Sequence, residues 1–259
     1  MELQQKVALV TGGGHRVGRA IALALAEAGA DVAIAYHTSG DQAAQTVEEL
    51  KGCGVDADRF KADLAVPAGA AELAEAVTER LGPVDALVNS ASAFARDRFP
   101  ADDTGDWYHT FDVVLHGPFH LTNAVAPSML ERGGGAVVNI VDLSAWQPWP
   151  GRAAHSVAKA ALLALTRQLA VELAPTVRCN AVALGPTIEP AKFGADQIER
   201  LRQRTLLGRW SGGAEAGRAV RYLLEAAAVT GECLTVDGGE QHGHVRERFT
   251  DTAADAHRP

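Results

Sequence analysis

The stretch "KVALVTGGGHRVGRAIALALAEAG", residues 6–29, decides the fold. Its valine-rich beginning predicts a buried strand over 6–11. Glycines follow at 12–14 and at 18, and the later residues recur with the period of a helix. A glycine-rich turn between a strand and a helix lets the backbone approach a pyrophosphate, whose charge the helix N-terminus favours. The stretch therefore predicts a dinucleotide-binding unit.

Short apolar runs alternate with helix-length amphipathic stretches along the rest of the chain. Such alternation predicts parallel strands with helices on both faces of the sheet. Strands are expected at 6–11, 31–36, 56–63, 85–90, 135–141, 177–183 and 232–236, and helices at 17–29, 40–52, 67–81, 104–131, 152–174 and 213–227. We therefore expect an α/β fold, a Rossmann-type doubly wound sheet of seven parallel strands, as one domain over 1–239. The polar residues 240–259 are expected to form a surface tail.

The composition restricts the classes of partner. The 259 residues carry a formal net charge of −8 and no dense basic run, so nucleic-acid binding is not expected. No apolar run reaches the roughly 18 residues of a membrane span, and the first residues lack a signal-peptide pattern. The three cysteines lack metal-ligand spacing, so reduced thiols and no metal site are expected. These features predict a soluble, cytoplasmic protein.

The end of the second predicted strand bears on the choice of cofactor. A carboxylate there would bind the ribose 2′-hydroxyl and repel a 2′-phosphate. The sequence instead places hydroxyls and an imidazole at Tyr36, His37, Thr38 and Ser39. Arg16, with His15 beside it, adds positive charge from the first loop. This pattern favours NADPH over NADH, although Asp41 is near enough in sequence to fold back onto the ribose.

Several motifs together resemble the short-chain dehydrogenase/reductase family. The matching segments are T-G-x-x-x-G-x-G at 11–18, with arginine at the middle glycine, Asp63-Leu64, "NSAS" at 89–92 and "VDGG" at 236–239. The resemblance covers about 1–240 and implies NADP(H) binding. The implied cofactor site consists of Gly12, His15, Arg16, Val17, Gly18, Tyr36, His37, Thr38, Ser39, Asp63, Leu64, Asn89, Ser90, Ala91, Lys159, Gly185 and Pro186.

Within that family the sequence resembles the pteridine reductases. They share the first-loop arginine, the "YHTS" segment at 36–39 and the "NSASAF" segment at 89–94. The resemblance implies that Ser92 and Phe94 contact a pterin, with Phe94 stacking the ring against the nicotinamide. It also implies that Asp142 takes the place of the family's catalytic serine.

Two positions depart from the family pattern. His155 stands where a tyrosine delivers the proton, and Val114 stands where an asparagine anchors a water chain. Lys159 is unchanged, and the resemblance implies that it holds the nicotinamide ribose. An imidazole titrates near neutrality but reaches less far than a phenol. Three interpretations stay open: His155 is the acid, it orients the ligand while Asp142 or water donates, or activity is lost.

Aromatic residues gather in the part of the sequence expected to form the substrate wall. Trp146 and Trp149 lie in the predicted loop between Asp142 and His155, and Trp210 lies in 187–212, the segment that folds over the substrate in the resembled family. Aromatic side chains offer a stacking surface to a flat ring. The predicted substrate-binding residues are Arg16, Ser92, Phe94, Asp142, Trp146, Trp149 and Trp210.

The combined interpretation is an NADPH-dependent reductase of a pterin-like heterocycle or a related carbonyl or imine compound. Its predicted catalytic residues are Asp142, His155 and Lys159. The alternative is a catalytically weak or inactive NADP(H)-binding homologue that acts as a sensor or supporting subunit. The predicted helices 104–131 and 152–174 are apolar around much of their circumference, which requires burial on more than one side. A homotetramer is therefore expected.

Overall fold

Seven parallel strands form one sheet in the computed structural model, which describes residues 1–97, 99–190 and 193–243. The strands are β1 (Val7–Thr11), β2 (Asp31–Tyr36), β3 (Ala57–Lys61), β4 (Ala86–Asn89), β5 (Gly135–Asp142), β6 (Val177–Leu184) and β7 (Cys233–Val236). The α-helices are α1 (Arg16–Ala26), α2 (Gly40–Gly52), α3 (Pro67–Leu81), α4 (Gly105–Phe111), α5 (Gly117–Glu131), α6 (Ala153–Glu172), α7 (Ala195–Gln203) and α8 (Gly213–Glu225). The strand and helix prediction is confirmed in its main features.

The sheet order is β3-β2-β1-β4-β5-β6-β7, and every neighbouring pair is parallel. The apolar sides of α1, α2 and α8 pack on one face of the sheet, and those of α3, α5 and α6 pack on the other. The chain order reverses between β1 and β4, where helices on opposite faces diverge from the carboxyl ends of the strands. This Rossmann-type doubly wound fold therefore has a crevice beside the end of β1.

Burial explains why six strands gave clear apolar runs and one did not. All five residues of β1 are buried because helices cover both sides of the sheet. By contrast, β3 is an edge strand in which Ala57 is buried while Arg59 and Lys61 are exposed. Its weaker pattern in the sequence reflects this half-exposed position.

The predicted single helix over 104–131 is wrong in detail. A π-helical turn, Asp112–His116, separates α4 from α5. Pro118, which lacks an N–H donor, lies in the first turn of α5, where no intrahelical partner is needed. A π-turn widens the helix by one residue and is common at functional sites. The apolar periodicity runs through this change and does not reveal it.

Two other segments differ from expectation. The segment 187–212 contains α7, a nine-residue helix with no buried residue, in which Ile198 and Leu201 form an apolar stripe too short to predict a helix from the sequence. At the chain's end, Glu240–His242 form a 3₁₀ turn, while the rest of the predicted tail, from 244 to 259, lies outside the described residues.

Other expectations can be compared with the described residues. In them, all three cysteines are free thiols and no cluster of metal-ligating side chains occurs. No helix of this part of the chain is long and apolar enough to cross a membrane.

Candidate active site

The glycine-rich turn lies at the carboxyl end of β1 and packs tightly against its surroundings. Gly12 has a φ of +65°, and a Cβ there would lie 3.1 Å from the Cα of Ala91. A Cβ on Gly18 would lie only 2.2 Å from the carbonyl oxygen of Gly12. Arg16 adopts a left-handed φ of +49° at the position that is glycine in the resembled family. The turn therefore presents bare backbone and the N-terminus of α1 to the crevice.

Thr11 connects this turn to the end of β4. Its hydroxyl oxygen accepts hydrogen bonds from the backbone N–H groups of Ser90 and Ala91, both at 2.9 Å. The "NSAS" turn is thereby held beside the glycine-rich turn. The two turns form the floor of one cleft because their strands are neighbours in the sheet.

The cleft has a volume of about 400 Å³ and brings together most of the predicted cofactor residues. Those that line it are Gly12, His15, Arg16, Val17, Gly18, Tyr36, His37, Thr38, Ser39, Asp63, Leu64, Ser90 and Ala91, together with Ser92 from the predicted substrate set. Sequence reasoning missed Ala35, Ala62, Ala93, His109 and Val113, which also line it. The alanines directly precede or follow residues of the motifs, whereas no motif marks His109 or Val113.

Four predicted cofactor residues do not line this cleft. Asn89 is buried and donates from Nδ2 to Oδ1 of Asn139 at 2.8 Å, which places it in the core. Gly185 donates to the carbonyl of Val236, and the carbonyl of Pro186 accepts from the N–H of Ser211. The latter bond joins the two ends of the segment 187–212. The fourth residue, Lys159, lies next to Asp142 and is described below.

The far end of the cleft lacks a carboxylate directly after β2, as the sequence indicated. His37 lies with its Nε2 atom 4.0 Å from Oδ2 of Asp63, so the nearest carboxylate comes from the end of β3. Asp41 is exposed in the first turn of α2 and is not among the residues that line the cleft.

His155 and Asp142 form a buried pair at the other end of the site. Nε2 of His155 lies 2.8 Å from Oδ2 of Asp142, and Nδ1 lies 3.1 Å from the carbonyl oxygen of Ala93. The His155 side chain is 3% exposed and that of Asp142 is 18% exposed. Asp142 ends β5 and His155 lies in the first turns of α6, so the β5–α6 connection brings them together.

The partners of His155 determine how many protons the pair holds. A carbonyl oxygen only accepts, so Nδ1 must carry a hydrogen. If the Asp142 carboxylate is ionised, Nε2 must carry a second hydrogen and the ring is an imidazolium. If the ring is neutral, the carboxyl group must be protonated. In either form the pair stores one proton more than a neutral imidazole beside a carboxylate.

The surroundings of Asp142 decide where that proton rests. Burial raises the pKa of its carboxyl group, but the hydrogen bond with His155, the positive charge of Lys159 and the Ser144 hydroxyl together leave the pKa below its ordinary value. The backbone N–H of Ser144 also donates to Oδ1 at 3.0 Å. Asp142 is therefore an ionised carboxylate in the resting site, stabilised by His155, Lys159 and Ser144.

Lys159 lies close to the Asp142 carboxylate. Its side chain is buried, and Nζ donates to the carbonyl oxygen of Ile140 at 2.7 Å. Burial lowers the pKa of the ammonium, and the Asp142 carboxylate partly opposes that effect. Val114 is buried in the π-turn and offers no polar atom where the resembled family has an asparagine.

Aromatic rings enclose His155. The Trp149 ring is stacked on the imidazole, with 6.1 Å between the ring centroids and 15° between the ring planes. The Phe94 ring makes an edge contact with the imidazole, with a centroid distance of 4.7 Å and an interplanar angle of 88°. Phe94 is still 55% exposed, so much of its ring remains accessible. Two other residues predicted for the substrate wall, Trp146 and Trp210, do not contact this cluster of rings. Trp146 is 39% exposed. The Nε1 atom of Trp210 is buried and has no hydrogen-bond partner among the described residues.

Arg16 reaches from the glycine-rich turn to the segment 187–212. Its Nη2 atom donates to the carbonyl oxygen of Ile188 at 2.9 Å. Arg16 thus connects the cofactor cleft with the segment expected to cover a substrate.

Comparison with known proteins identifies the family. A family profile described as enoyl-(acyl carrier protein) reductase matches residues 14–241. The chain belongs to the short-chain dehydrogenase/reductase family, whose members are NAD(P)-dependent oxidoreductases. The chain is 38% identical to an uncharacterized oxidoreductase of Mycobacterium tuberculosis over 92% of each chain. It is 32% identical to the 3-oxoacyl-[acyl-carrier-protein] reductase FabG of Staphylococcus epidermidis over 90% of this chain and 98% of that relative.

A solved structure resembles this reductase-family chain closely. The alternative dihydrofolate reductase FolM of Brucella canis, complexed with NADP, superimposes with a TM-score of 0.86 at 35% identity. The match covers 93% of this chain and 96% of that protein. These values confirm the predicted fold.

The ionised state of Asp142 predicts how stability depends on pH. Folding lowers the pKa of this carboxyl group below the ordinary 3.8. The ionised carboxylate therefore contributes fully to the free energy of unfolding above that pH. This contribution is lost as the pH falls through the pKa of the folded protein. Asp142→Asn should lower the free energy of unfolding by about 2 kcal/mol at pH 7. Denaturant unfolding should show the difference from the parent protein shrinking below pH 3.8. A difference that grows on acidification would contradict the assignment, and the exposed Asp102→Asn serves as control.

Proposed function

We propose that this chain is an NADP(H)-dependent reductase of a pterin-like heterocycle or a related carbonyl or imine compound. The observation that carries the proposal is the buried, proton-storing pair of His155 and Asp142 beside the exposed ring of Phe94. Reduction of a polar double bond requires a stored proton near a binding surface for the substrate. Both lie at the carboxyl ends of the strands, where such folds bind ligands.

The chemistry of the cleft supports NADP(H) as the cofactor. The bare backbone at Gly12 and Gly18 leaves room for a pyrophosphate at the N-terminus of α1. Hydroxyl and imidazole groups take the place of a carboxylate after β2, and Arg16 adds a cation. The similar FolM structure contains NADP. When bound, the reduced cofactor supplies a hydride.

Lys159 is suited to hold the nicotinamide ribose. Its ammonium uses one donor on the Ile140 carbonyl, and its other N–H groups have no acceptor among the described residues. Ribose hydroxyls would complete them. This role does not depend on His155, so cofactor binding and proton delivery involve separate residues.

Asp142 is the residue proposed to pass the proton to the substrate. Both ring nitrogens of His155 face fixed acceptors, and its side chain is nearly inaccessible. Asp142 is more exposed, and its Oδ2 atom has a second lone pair besides the one that meets His155. As negative charge develops on the substrate nitrogen or oxygen, the proton leaves Nε2 for the carboxylate, and Asp142 passes it on. His155 is then the proton store, which solvent refills.

The aromatic platform supports a flat substrate. Phe94 is 55% exposed, and the rings of Trp149 and His155 lie nearly perpendicular to it at centroid distances of 6.3 and 4.7 Å. Planar heterocycles stack on such a surface. The "NSASAF" segment and the 35% identity to an alternative dihydrofolate reductase favour a pterin among them. The enclosed position of His155 also favours the second candidate, a weakly active NADP(H)-binding homologue, and the same assay separates the two.

The assay combines the purified protein with NADPH and 7,8-dihydrobiopterin, or with an aromatic aldehyde, and follows NADPH absorbance. We expect oxidation of NADPH that depends on the added substrate, with binding of NADPH at least about 10-fold tighter than that of NADH. Thr38→Glu should reverse this preference because a carboxylate repels the 2′-phosphate, whereas Thr38→Gln should not. Tight NADPH binding without turnover of any substrate would favour the second candidate. Equal binding of NADH would contradict the cofactor assignment.

A homotetramer remains our proposal for the assembly. Apolar side chains are exposed on the helices concerned: Tyr108, Phe119, Leu130, Val157 and Val171. Exposed apolar area of this kind marks interaction surfaces. Light scattering should give four times the mass of one chain, and Phe119→Glu should reduce it, whereas Val66→Glu, directly before α3, should not. A monomer at micromolar concentration would contradict the proposal.

A further inference from the structure

Arg152 lies at the rim of the aromatic platform and has no role in the proton store. Its guanidinium carbon is 3.9 Å from the centroid of the Phe94 ring, and Nη1 donates to the Phe94 carbonyl oxygen at 3.0 Å. Phe94 therefore has a cation against its ring while part of the ring remains accessible. A substrate ring stacked on the opposite face of Phe94 would have only the Phe94 ring between it and this guanidinium, and an arm of the substrate could reach past the ring edge.

The nearby carboxylate of Asp97 does not neutralise Arg152. Its two oxygens accept from the backbone N–H groups of Ala153 and Ala154, each at 2.6 Å, and so cap the start of α6. Among the described residues Arg152 forms no ion pair, and Phe94 is the only hydrogen-bond acceptor of its side chain. The guanidinium keeps N–H donors for another acceptor.

The electrostatic surroundings make an anion the favoured partner. Arg152 is partly buried, and burial together with the positive charge of Arg96 lowers the pKa of its guanidinium. A cation that is partly withdrawn from water beside another cation gains most from a bound counter-charge. A guanidinium is planar and matches a carboxylate with two parallel hydrogen bonds.

We infer that Arg152 binds a carboxylate carried on an arm of the substrate, while the substrate's ring stacks on Phe94. This inference rests on the proposed function and narrows its substrate class to planar heterocycles with an anionic arm. Arg152 then determines specificity and takes no part in proton transfer. Neutral heterocycles of the same ring type would stack on Phe94 but would lack the contact with Arg152.

Equilibrium binding of folic acid and of folic acid dimethyl ester tests the inference, because the two differ in the charge of the arm. Quenching of protein fluorescence is measured with the NADP⁺-bound protein. The parent protein should bind the acid at least about 10-fold more tightly than the ester. Arg152→Gln should remove most of that difference and leave the ester affinity within about twofold, with Arg152→Lys intermediate. Arg221→Gln, which removes a charge from the distant α8, should change neither affinity.

The outcomes separate the inference from the proposed function. If Arg152→Gln weakens acid and ester equally, Arg152 only positions Phe94 and the inference is overturned. If the parent protein binds both equally, the inference is overturned while the proposed pterin reductase stands. If it binds neither compound but does bind NADP⁺, the inference and the pterin substrate are both overturned, and the aldehyde assay then tests the carbonyl part of the proposed function. Unchanged NADP⁺ affinity and melting temperature of Arg152→Gln show that the variant is folded.

Discussion

The hydrogen bond between the His155 imidazole and the Asp142 carboxylate is the contact on which the active edge of the sheet depends. It connects the end of β5 to the start of α6, and the second ring nitrogen of His155 extends the connection to the backbone of Ala93. Phe94 follows directly and meets the imidazole edge-on. One imidazole thus contacts both the residue that we propose to deliver the proton and the ring that we propose to bind the substrate. Separating its charges inside the protein would leave each of them poorly solvated.

In the proposed mechanism, His155 has a different role from that of a catalytic tyrosine. A phenol offers one O–H to the substrate, whereas an imidazole has two nitrogens, and here both meet protein acceptors. In that mechanism the Asp142 carboxylate is the acceptor that Nε2 of His155 meets. Lys159 donates one hydrogen bond to the Ile140 carbonyl, and its other N–H groups are available for the proposed contact with the cofactor ribose.

The features that the sequence predicted are those set by neighbours in the chain. The fold follows from apolar strands and the glycine-rich turn, and the cleft is lined by short motifs at successive strand ends. The contact of His155 with Ala93 and that of Arg152 with Phe94 join distant segments, and no spacing rule reveals them. The sequence predicted Trp146, Trp149 and Trp210 together in the substrate wall because all three are aromatic, but only Trp149 packs against His155. The π-turn was hidden because it keeps an apolar helical pattern.

The most direct test of this account is the single-turnover rate of hydride transfer to a reducible dihydropterin in Asp142→Asn and His155→Ala. If Asp142 passes the proton and His155 stores it, Asp142→Asn loses at least about 10²-fold, and no less than His155→Ala. NADPH affinity stays nearly unchanged in both, because the glycine-rich turn and Lys159 supply it. Near-parental turnover of Asp142→Asn, with a large loss in His155→Ala, would show that the imidazole donates directly and would contradict the account.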